Sequence, residues 1–254
     1  MNSKNLKIGI IGAGIQGVCN ALFLQKKGYQ VTLFDRDEPG NAASYGNAGH
    51  FSPYASVSLN RTDVLTDVPS MLVSSRGPLA LKWNYVPKMI PWFLKFILNC
   101  REEKMMHTAK YMHQILDLSL PAFDELFDDI KLDGLVESNG ILYIWTNKSQ
   151  KSRDLEIKIR DELGVKQQLV NPKEIHDLEP NIKPFYDGGV FYDYARHARN
   201  PRKILIKLFE KFLENGGKFL KLNIKNLDFD EDKPVLRTDS QRFIFDRLVI
   251  ACGA

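Results

Sequence analysis

Residues 6–35 read LKIGIIGAGIQGVCNALFLQKKGYQVTLFD, and this stretch decides the fold. The run from Leu6 to Ile11 is apolar and leads into a glycine, which is typical of a buried parallel strand. Apolar residues then recur at helical spacing from Ile15, and Gly28 follows two lysines as a C-terminal cap. A second apolar run ends at Asp35. The order strand, helix, strand predicts a right-handed βαβ unit with parallel strands.

The turn after the first strand has the pattern G-x-G-x-x-G, and in this context it predicts a dinucleotide site. Gly12 permits a tight turn, Gly14 lets the backbone approach a pyrophosphate, and Gly17 lets the helix pack close to the strand. The helix N-terminus favours phosphate, and Asp35 can accept hydrogen bonds from ribose hydroxyls. The alternative is a turn that only packs helix on strand. The residues predicted to bind here are Gly12, Ala13, Gly14, Ile15, Gln16, Gly17 and Asp35.

The next segment favours FAD over a nicotinamide dinucleotide. A nicotinamide-binding domain normally continues with regular βα units, whereas residues 36–60 are rich in small and polar residues without a repeating period. Such a loop allows close approach of a bulky ligand; a flexible surface loop is the alternative. Arg36 packs on the adenine or lies on the surface, and His50 lies near the flavin or has no role. The further candidate contacts are Arg36, Ser44, Asn47, Ala48, Gly49 and His50.

A family resemblance adds to this. The glycine turn, Asp35-Arg36, and Ala43–Gly49 followed by Ser52-Pro53 resemble the FAD-dependent amino-acid oxidoreductases of the D-amino-acid oxidase superfamily. The D-amino-acid dehydrogenase small-subunit group is the most similar. Further matches follow in family order over nearly the whole chain: Pro91–Phe96, Leu178–Pro180, Gly188–Val190 and Phe245–Ala254.

The resemblance implies oxidation of the Cα–N bond of an amino acid as the small-molecule substrate, with a D-amino acid expected, to a 2-oxo acid and ammonia. The flavin does the chemistry, and electrons pass to a quinone or another acceptor. It also implies that Cys252 and Gly253 lie beside the cofactor, with Cys252 read as a small buried residue rather than a redox thiol. The alternatives are a sarcosine- or glycine-oxidase-like amine oxidase, and a non-catalytic flavin-binding fragment or subunit.

The expected fold class is α/β with an α+β insert. A Rossmann-type FAD-binding domain takes residues 1–55 and 195–254, and an incomplete substrate domain of antiparallel sheet and helices takes 56–194. Family members continue past the last predicted strand. We therefore expect a truncated frame, a split gene or a partial record, and a partner that supplies the C-terminal half.

Local patterns predict four further elements. Val136 to Trp145 reads as a hairpin around Asn139-Gly140. A helix from Pro201 and a strand at 218–222 read as a second βαβ-like unit. Residues 224–245 alternate like an antiparallel meander. Residues 247–252 form an apolar strand.

Composition excludes several classes of protein. Basic residues number 35 and acidic residues 31, so the net charge of +4 does not indicate nucleic-acid binding. No His or Cys spacing indicates a metal. Three cysteines cannot all pair, and reduced thiols fit a cytosolic protein best. The sequence shows no transmembrane helix and no signal peptide. The segment Pro91–Leu94 has two interpretations: it touches the inner face of the cell membrane, or it packs on its own domain. We expect the second.

No catalytic base can be identified from the sequence. Tyr54, Tyr192 and Arg196 are candidates for a carboxylate site, because arginine binds carboxylates through two hydrogen bonds. Packing in the core or on the surface is the favoured interpretation for each of them.

Overall fold

The computed structural model describes residues 6–65, 81–132, 134–146 and 148–253. Within those ranges the chain forms two compact units, the first from residues up to 50, 121–137 and 197 onward, the second from 51–120 and 138–196. The domain boundaries expected from the sequence stay a prediction. They differ from these units chiefly in 121–137, which lies with the first unit. There, Lys26 Nζ donates to the Glu125 carbonyl oxygen and lies 3.7 Å from an Asp129 carboxylate oxygen.

The strands and the α-helices are each numbered in chain order. The strands are β1 (Lys7–Ile11), β2 (Gln30–Asp35), β3 (His50–Phe51), β4 (Val136–Glu137), β5 (Ile141–Trp145), β6 (Gln168–Val170), β7 (Gly188–Tyr192), β8 (Arg196–Ala198), β9 (Lys218–Lys221), β10 (Asn226–Asp230), β11 (Lys233–Arg237), β12 (Arg242–Ile244) and β13 (Arg247–Ile250). The helices are α1 (Ile15–Lys26), α2 (Val86–Asn99), α3 (Glu102–Asp117), α4 (Ser119–Phe127), α5 (Gln150–Glu162), α6 (Pro172–Leu178) and α7 (Pro201–Glu214).

A four-stranded parallel sheet organises the first unit. Its order is β13-β1-β2-β9, so both neighbours of the β1–β2 pair come from the last part of the chain. The predicted βαβ unit is confirmed, since β1 and β2 pair in parallel and α1 connects them. Helix α1 buries Val18 and Leu22, and its Gln25 side chain donates to the Phe212 carbonyl oxygen of α7 at 3.0 Å. The Rossmann-type α/β class expected from the sequence is therefore correct.

Two pairing predictions are wrong. Strands β4 and β5 do not form a hairpin: β4 pairs with β8 and β5 pairs with β7. The Asn139-Gly140 turn therefore joins strands of two different sheets. The strand before α7 is β8, which is antiparallel to β4, so α7 and β9 do not complete a second parallel βαβ unit in one sheet. The meander is confirmed as β10-β11-β12.

The second unit is built on the antiparallel sheet β5-β7-β6. Its core contains Trp145, Val190 and Tyr192, while α3 packs through Met105 on Ile159 of α5. Helix α5 begins at a Ser149 cap. At the start of α6, Asn171 and Glu174 form a reciprocal capping box, which explains the short helix after Asn171-Pro172.

A set of charged side chains in this unit is called here the charge cluster: Arg61, Lys148, Glu156 and Arg160. Glu156 is buried and forms ion pairs with the other three side chains. The distance from Lys148 Nζ to Glu156 Oε1 is 2.6 Å. Burial and the nearby Arg61 and Arg160 lower the pKa of Lys148 to about 8. The Asp63 carboxylate acts in the opposite direction and raises this pKa, but it does not outweigh burial and the guanidinium groups.

Helix α2 agrees only in part with the expectation that Pro91–Leu94 packs on its own domain, because Phe93 is half-buried. None of its residues is buried by the described part of the chain, and Trp92 and Leu94 are more than half exposed. The helical period places apolar residues on one face of α2, but it does not tell what covers that face. No helix among the described residues is long and apolar enough to cross a membrane.

Candidate cofactor site

The glycine turn between β1 and α1 is fixed by close backbone contacts. Gly12 has a φ of +108°, and a Cβ there would stand 2.2 Å from the Ala251 carbonyl oxygen. A Cβ on Gly17 would stand 1.8 Å from the Gly12 carbonyl oxygen. Real Cβ atoms do not approach so closely, so both positions require glycine. The roles predicted for a tight turn and for close packing thus have a steric basis in the structure.

The N-terminus of α1 opens from this turn. Gly14 is the N-cap, and no acidic residue lies in the first turn of the helix. The positive end of the helix dipole is therefore not neutralised there. Ser44 approaches this point, because its Oγ accepts a hydrogen bond from the Ile15 backbone N–H at 3.0 Å. The loop that contains Ser44 is thereby held against the helix terminus.

Asp35 ends β2 beside the same turn, and its carboxylate is held by backbone donors. Oδ2 accepts from the Ala13 N–H at 2.7 Å, and Oδ1 accepts from the Asp37 N–H at 3.0 Å. The Leu222 N–H donates to the Asp35 carbonyl oxygen at 2.8 Å. Each carboxylate oxygen keeps a further lone pair for a ligand hydroxyl.

An open cleft of about 260 Å³ lies along this edge of the sheet. It is where the carboxyl ends of parallel strands meet, the usual position of a ligand in such sheets. Among the predicted site residues, those that line it are Gly12, Gly14, Asp35, Arg36 and Cys252.

The cleft also has lining residues that the sequence reasoning missed: Ile11, Asp37, Glu38, Gly40, Asn41, Ala42, Leu222, Asn223 and Ile224. The sequence did contain a signal for Leu222, Asn223 and Ile224. The strand at 218–222 was expected, and a parallel neighbour of β2 places the residues after it at the same edge as Asp35.

The remaining candidates of the loop lie elsewhere in the first unit. Asn47 Oδ1 accepts from the Gly49 N–H at 2.8 Å, and the Gly49 carbonyl oxygen accepts from the Ala198 N–H. Ala48 and His50 are exposed, and the His50 ring lies 5.3 Å from that of His197. These residues are not among those that line the cleft, so their contact with a cofactor stays a prediction. The same holds for Gln16 and Gly253, which are exposed.

Cys252 corrects one expectation. The sequence suggested a small buried residue, but Cys252 is exposed, because β13 ends at Ile250 and the following residues leave the sheet. Its Sγ lies 3.7 Å from the Ile11 carbonyl oxygen, at the wall of the cleft. The other two thiols are less available: Cys100 is buried, and burial raises the pKa of Cys19 to about 12.

The tyrosines proposed for a carboxylate site are packed in the second unit. The rings of Tyr54 and Tyr192 stack with centroids 3.8 Å apart, and both residues are buried. Burial raises the pKa of Tyr192 to about 12. Arg196 begins β8. Packing is thus the role that the structure gives the tyrosines. Among the described residues no cluster of His, Cys, Asp or Glu could hold a metal.

The arrangement fits FAD. The glycine turn presents backbone without side chains, the helix terminus presents positive potential, and Asp35 presents acceptors, all beside one open cleft. Gly12, Gly14 and the α1 N-terminus would hold the pyrophosphate, and Asp35 would hold the ribose.

Comparison with known proteins is consistent with this geometry. Residues 7–254 match a family described as FAD dependent oxidoreductase. A D-amino-acid oxidase of Bradyrhizobium diazoefficiens is 31% identical over 97% of this chain and 60% of the relative. A D-amino acid dehydrogenase of Helicobacter pylori is 23% identical over 98% of this chain and 60% of the relative.

A solved glycine oxidase from Geobacillus kaustophilus superimposes with a TM-score of 0.64 at 17% identity, over 99% of this chain and 56% of that one. This likeness concerns the fold. The chain spans about 60% of the length of the curated relatives it matches.

Proposed function

The chain belongs to the FAD dependent oxidoreductase family, and on that basis we propose that it takes part in oxidising a D-amino acid with FAD bound along the cleft. The observation that carries the proposal is the Asp35 carboxylate, fixed by two backbone donors beside a turn that admits only glycine. The products are the 2-oxo acid and ammonia.

In this proposal the residues of the chain bind and orient, while the bound flavin supplies the two-electron oxidation. The bare turn at Gly12 and Gly14 lets the backbone meet the pyrophosphate, whose charge is favoured at the α1 N-terminus. Asp35 accepts hydrogen bonds from the ribose hydroxyls. Because its carboxylate is already fixed, little ordering free energy is lost when the cofactor binds.

The substrate class rests on the relatives, two of which are named D-amino-acid oxidase and D-amino acid dehydrogenase. We extend the proposal to a quinone or another carrier as the electron acceptor, in a cytoplasmic protein held at the inner face of the cell membrane. The proposal also includes a partner that supplies the C-terminal half; the chain itself spans about 60% of the length of these relatives.

The experiment is a titration of the purified chain with FAD, read by flavin absorbance and by alkylation of Cys252. Cys252 is the exposed thiol at the cleft wall, so bound FAD should slow its alkylation, while Cys19 and Cys100 react little with or without FAD. The loaded protein is then mixed, without oxygen, with D-amino acids, their L-isomers, glycine and sarcosine.

Bleaching of the flavin by D-amino acids supports the proposal. Bleaching by glycine or sarcosine alone would replace it with the amine-oxidase alternative. A loaded flavin that no amine bleaches would make this chain a flavin-binding module. A folded chain that takes up no FAD and leaves Cys252 unprotected would overturn the cofactor assignment.

A further inference from the structure

Helix α2 carries a continuous apolar row. Ile90, Leu94, Ile97 and Leu98 follow the spacing i, i+4, i+7, i+8, which places them on one side of the helix. Each is between 50% and 59% exposed. A lone exposed leucine needs no explanation, but a contiguous apolar surface marks an interaction site.

The charge around this row has one sign. Residues 82–101 contain Lys82, Lys88, Lys95 and Arg101 and no acidic residue, although the chain as a whole has nearly as many acidic as basic residues. Lys88 and Lys95 are seven residues apart, so they flank the same edge of the apolar row. A surface that is apolar on one side and cationic along its border complements a surface that is apolar inside and anionic outside.

Aromatic residues complete the pattern. Trp83, just before the helix, is 70% exposed, whereas Trp92 is two residues from both Ile90 and Leu94 and so lies on the other side of the helix, where it stacks on Phe96. Tyr85 is also exposed. Tryptophan and tyrosine favour the level of the lipid headgroups, because their rings have an apolar body and a polar edge.

We propose that α2 binds the surface of an anionic lipid bilayer, with the row Ile90, Leu94, Ile97 and Leu98 inserted between the headgroups. The helix has 14 residues, about 21 Å at 1.5 Å per residue, which is less than the roughly 30 Å hydrocarbon core. It therefore lies in the plane of the surface, as amphipathic helices with lysines on the polar face do. The inference deepens the membrane location in the proposed function but does not rest on the flavin chemistry.

The test is sedimentation of the full chain with vesicles of phosphatidylcholine, and with vesicles of an equal mixture of phosphatidylglycerol and phosphatidylcholine. We expect binding to the anionic vesicles, weakened by salt. Tryptophan emission gives a second readout. Trp83 is exposed, so its emission should shift to shorter wavelength on binding, whereas Trp92 faces away from the inserted row and Trp145 is 7% exposed and already shielded.

Three double variants separate the contributions of the apolar row and of the lysines to vesicle binding. Leu94→Glu with Leu98→Glu should abolish vesicle binding. Lys88→Glu with Lys95→Glu should weaken it by roughly 25-fold or more, since each lysine near an anionic surface contributes about fivefold. Leu169→Glu with Leu178→Glu, in the same unit and similarly exposed, is the matched control and should bind like the wild type. Circular dichroism checks the fold of each variant.

Equal sedimentation with both vesicle types, or equal loss in the control, would overturn the inference. So would a concentration-dependent dimer that forms without lipid and is lost in the Leu94→Glu, Leu98→Glu variant, because α2 would then join two copies of the chain. The vesicle assay needs no FAD, so its failure is distinguishable from failure of the proposed oxidation, which is read from flavin bleaching.

Discussion

Two carboxylates in this protein, the half-buried Asp35 and the buried Glu156, are held by different kinds of hydrogen-bond and ion-pair partners. Asp35, at the cleft of the first unit, is fixed by backbone N–H groups of Ala13 and Asp37. Glu156, in the charge cluster of the second unit, is fixed by the side chains of Arg61, Lys148 and Arg160. The first arrangement depends on the path of the backbone, so steric changes should break it. The second depends on balanced charge, so neutralisation and pH should act on it.

The largest expected effect is Glu156→Gln. The neutral amide leaves Lys148 and Arg160 without their carboxylate, while Arg61 keeps its pair with Asp63, and we expect a cost of about 3–5 kcal/mol in the free energy of unfolding. Denaturant unfolding followed by Trp145 fluorescence measures it, because Trp145 is in the core of the same unit. Glu162→Gln is the control, since Glu162 forms an exposed pair with Lys158 and should cost less than about 1 kcal/mol. Similar losses in the two variants would mean that the charge cluster is not tightly coupled.

Gly17→Ala should come next. The added methyl would need the space of the Gly12 carbonyl oxygen, so we expect a loss of about 3 kcal/mol and failure to bind FAD. Thermal unfolding and flavin absorbance measure the two effects. Gly46→Ala is the matched control, because a Cβ there meets no described atom within 4 Å. Normal FAD affinity in Gly17→Ala would show that the turn does not hold the cofactor.

Asp35→Asn is a smaller change at the same cleft. One oxygen can still accept from the Ala13 N–H, but the amide nitrogen then faces the Asp37 N–H and no longer accepts. We expect FAD affinity to fall about tenfold, roughly 1.4 kcal/mol, as an ionised acceptor is lost. Equilibrium titration measures it. Asp228→Asn, at an exposed pair with Arg237 and not among the residues that line the cleft, should leave the affinity unchanged; an equal fall there would place the ribose elsewhere.

The smallest expected effect is a pH dependence carried by Lys148. Its pKa is about 8 in the folded chain against an ordinary 10.5, so the unfolded chain holds the proton more strongly between these values. The free energy of unfolding therefore rises with pH across that window, by about 1 kcal/mol after solvent screening.

Lys148→Met should lack this rise, which denaturant unfolding at pH 8 and pH 10.5 can measure. Lys158→Met, at an exposed lysine, should rise like the wild type. A variant at position 148 that keeps the full rise would assign the pH dependence to another group.

The sequence predicts the cleft well where the determinants are local. Gly12, Gly17 and Asp35 lie in one βαβ unit, and their roles follow from spacing and the absence of side chains. Prediction fails where the partner is distant in the chain. Asn139-Gly140 has the local signal of a hairpin, yet β5 pairs with β7, whose residues come more than forty positions later.

Cys252 and α2 show that local sequence patterns do not determine whether a residue or a helix face is buried. Whether Cys252 is buried depends on where β13 leaves the sheet, and β13 is held by its pairing with β1 at the other end of the chain. The period of α2 identifies an apolar face but not what covers it. Local periodicity states which side of an element is apolar, while tertiary packing decides whether that side meets protein.

The order of the parallel sheet has a consequence for synthesis of the chain. Strand β1 is made first, yet it pairs with β13, and the Lys7 N–H donates to the Asp246 carboxylate at 2.9 Å. β2 likewise pairs with β9. During translation the β1–β2 pair keeps open apolar strand edges until residues 218–221 and 247–250 have been synthesised. Such non-local pairing is slow and exposes strands to aggregation, so expression at low temperature or with chaperones should favour the native sheet.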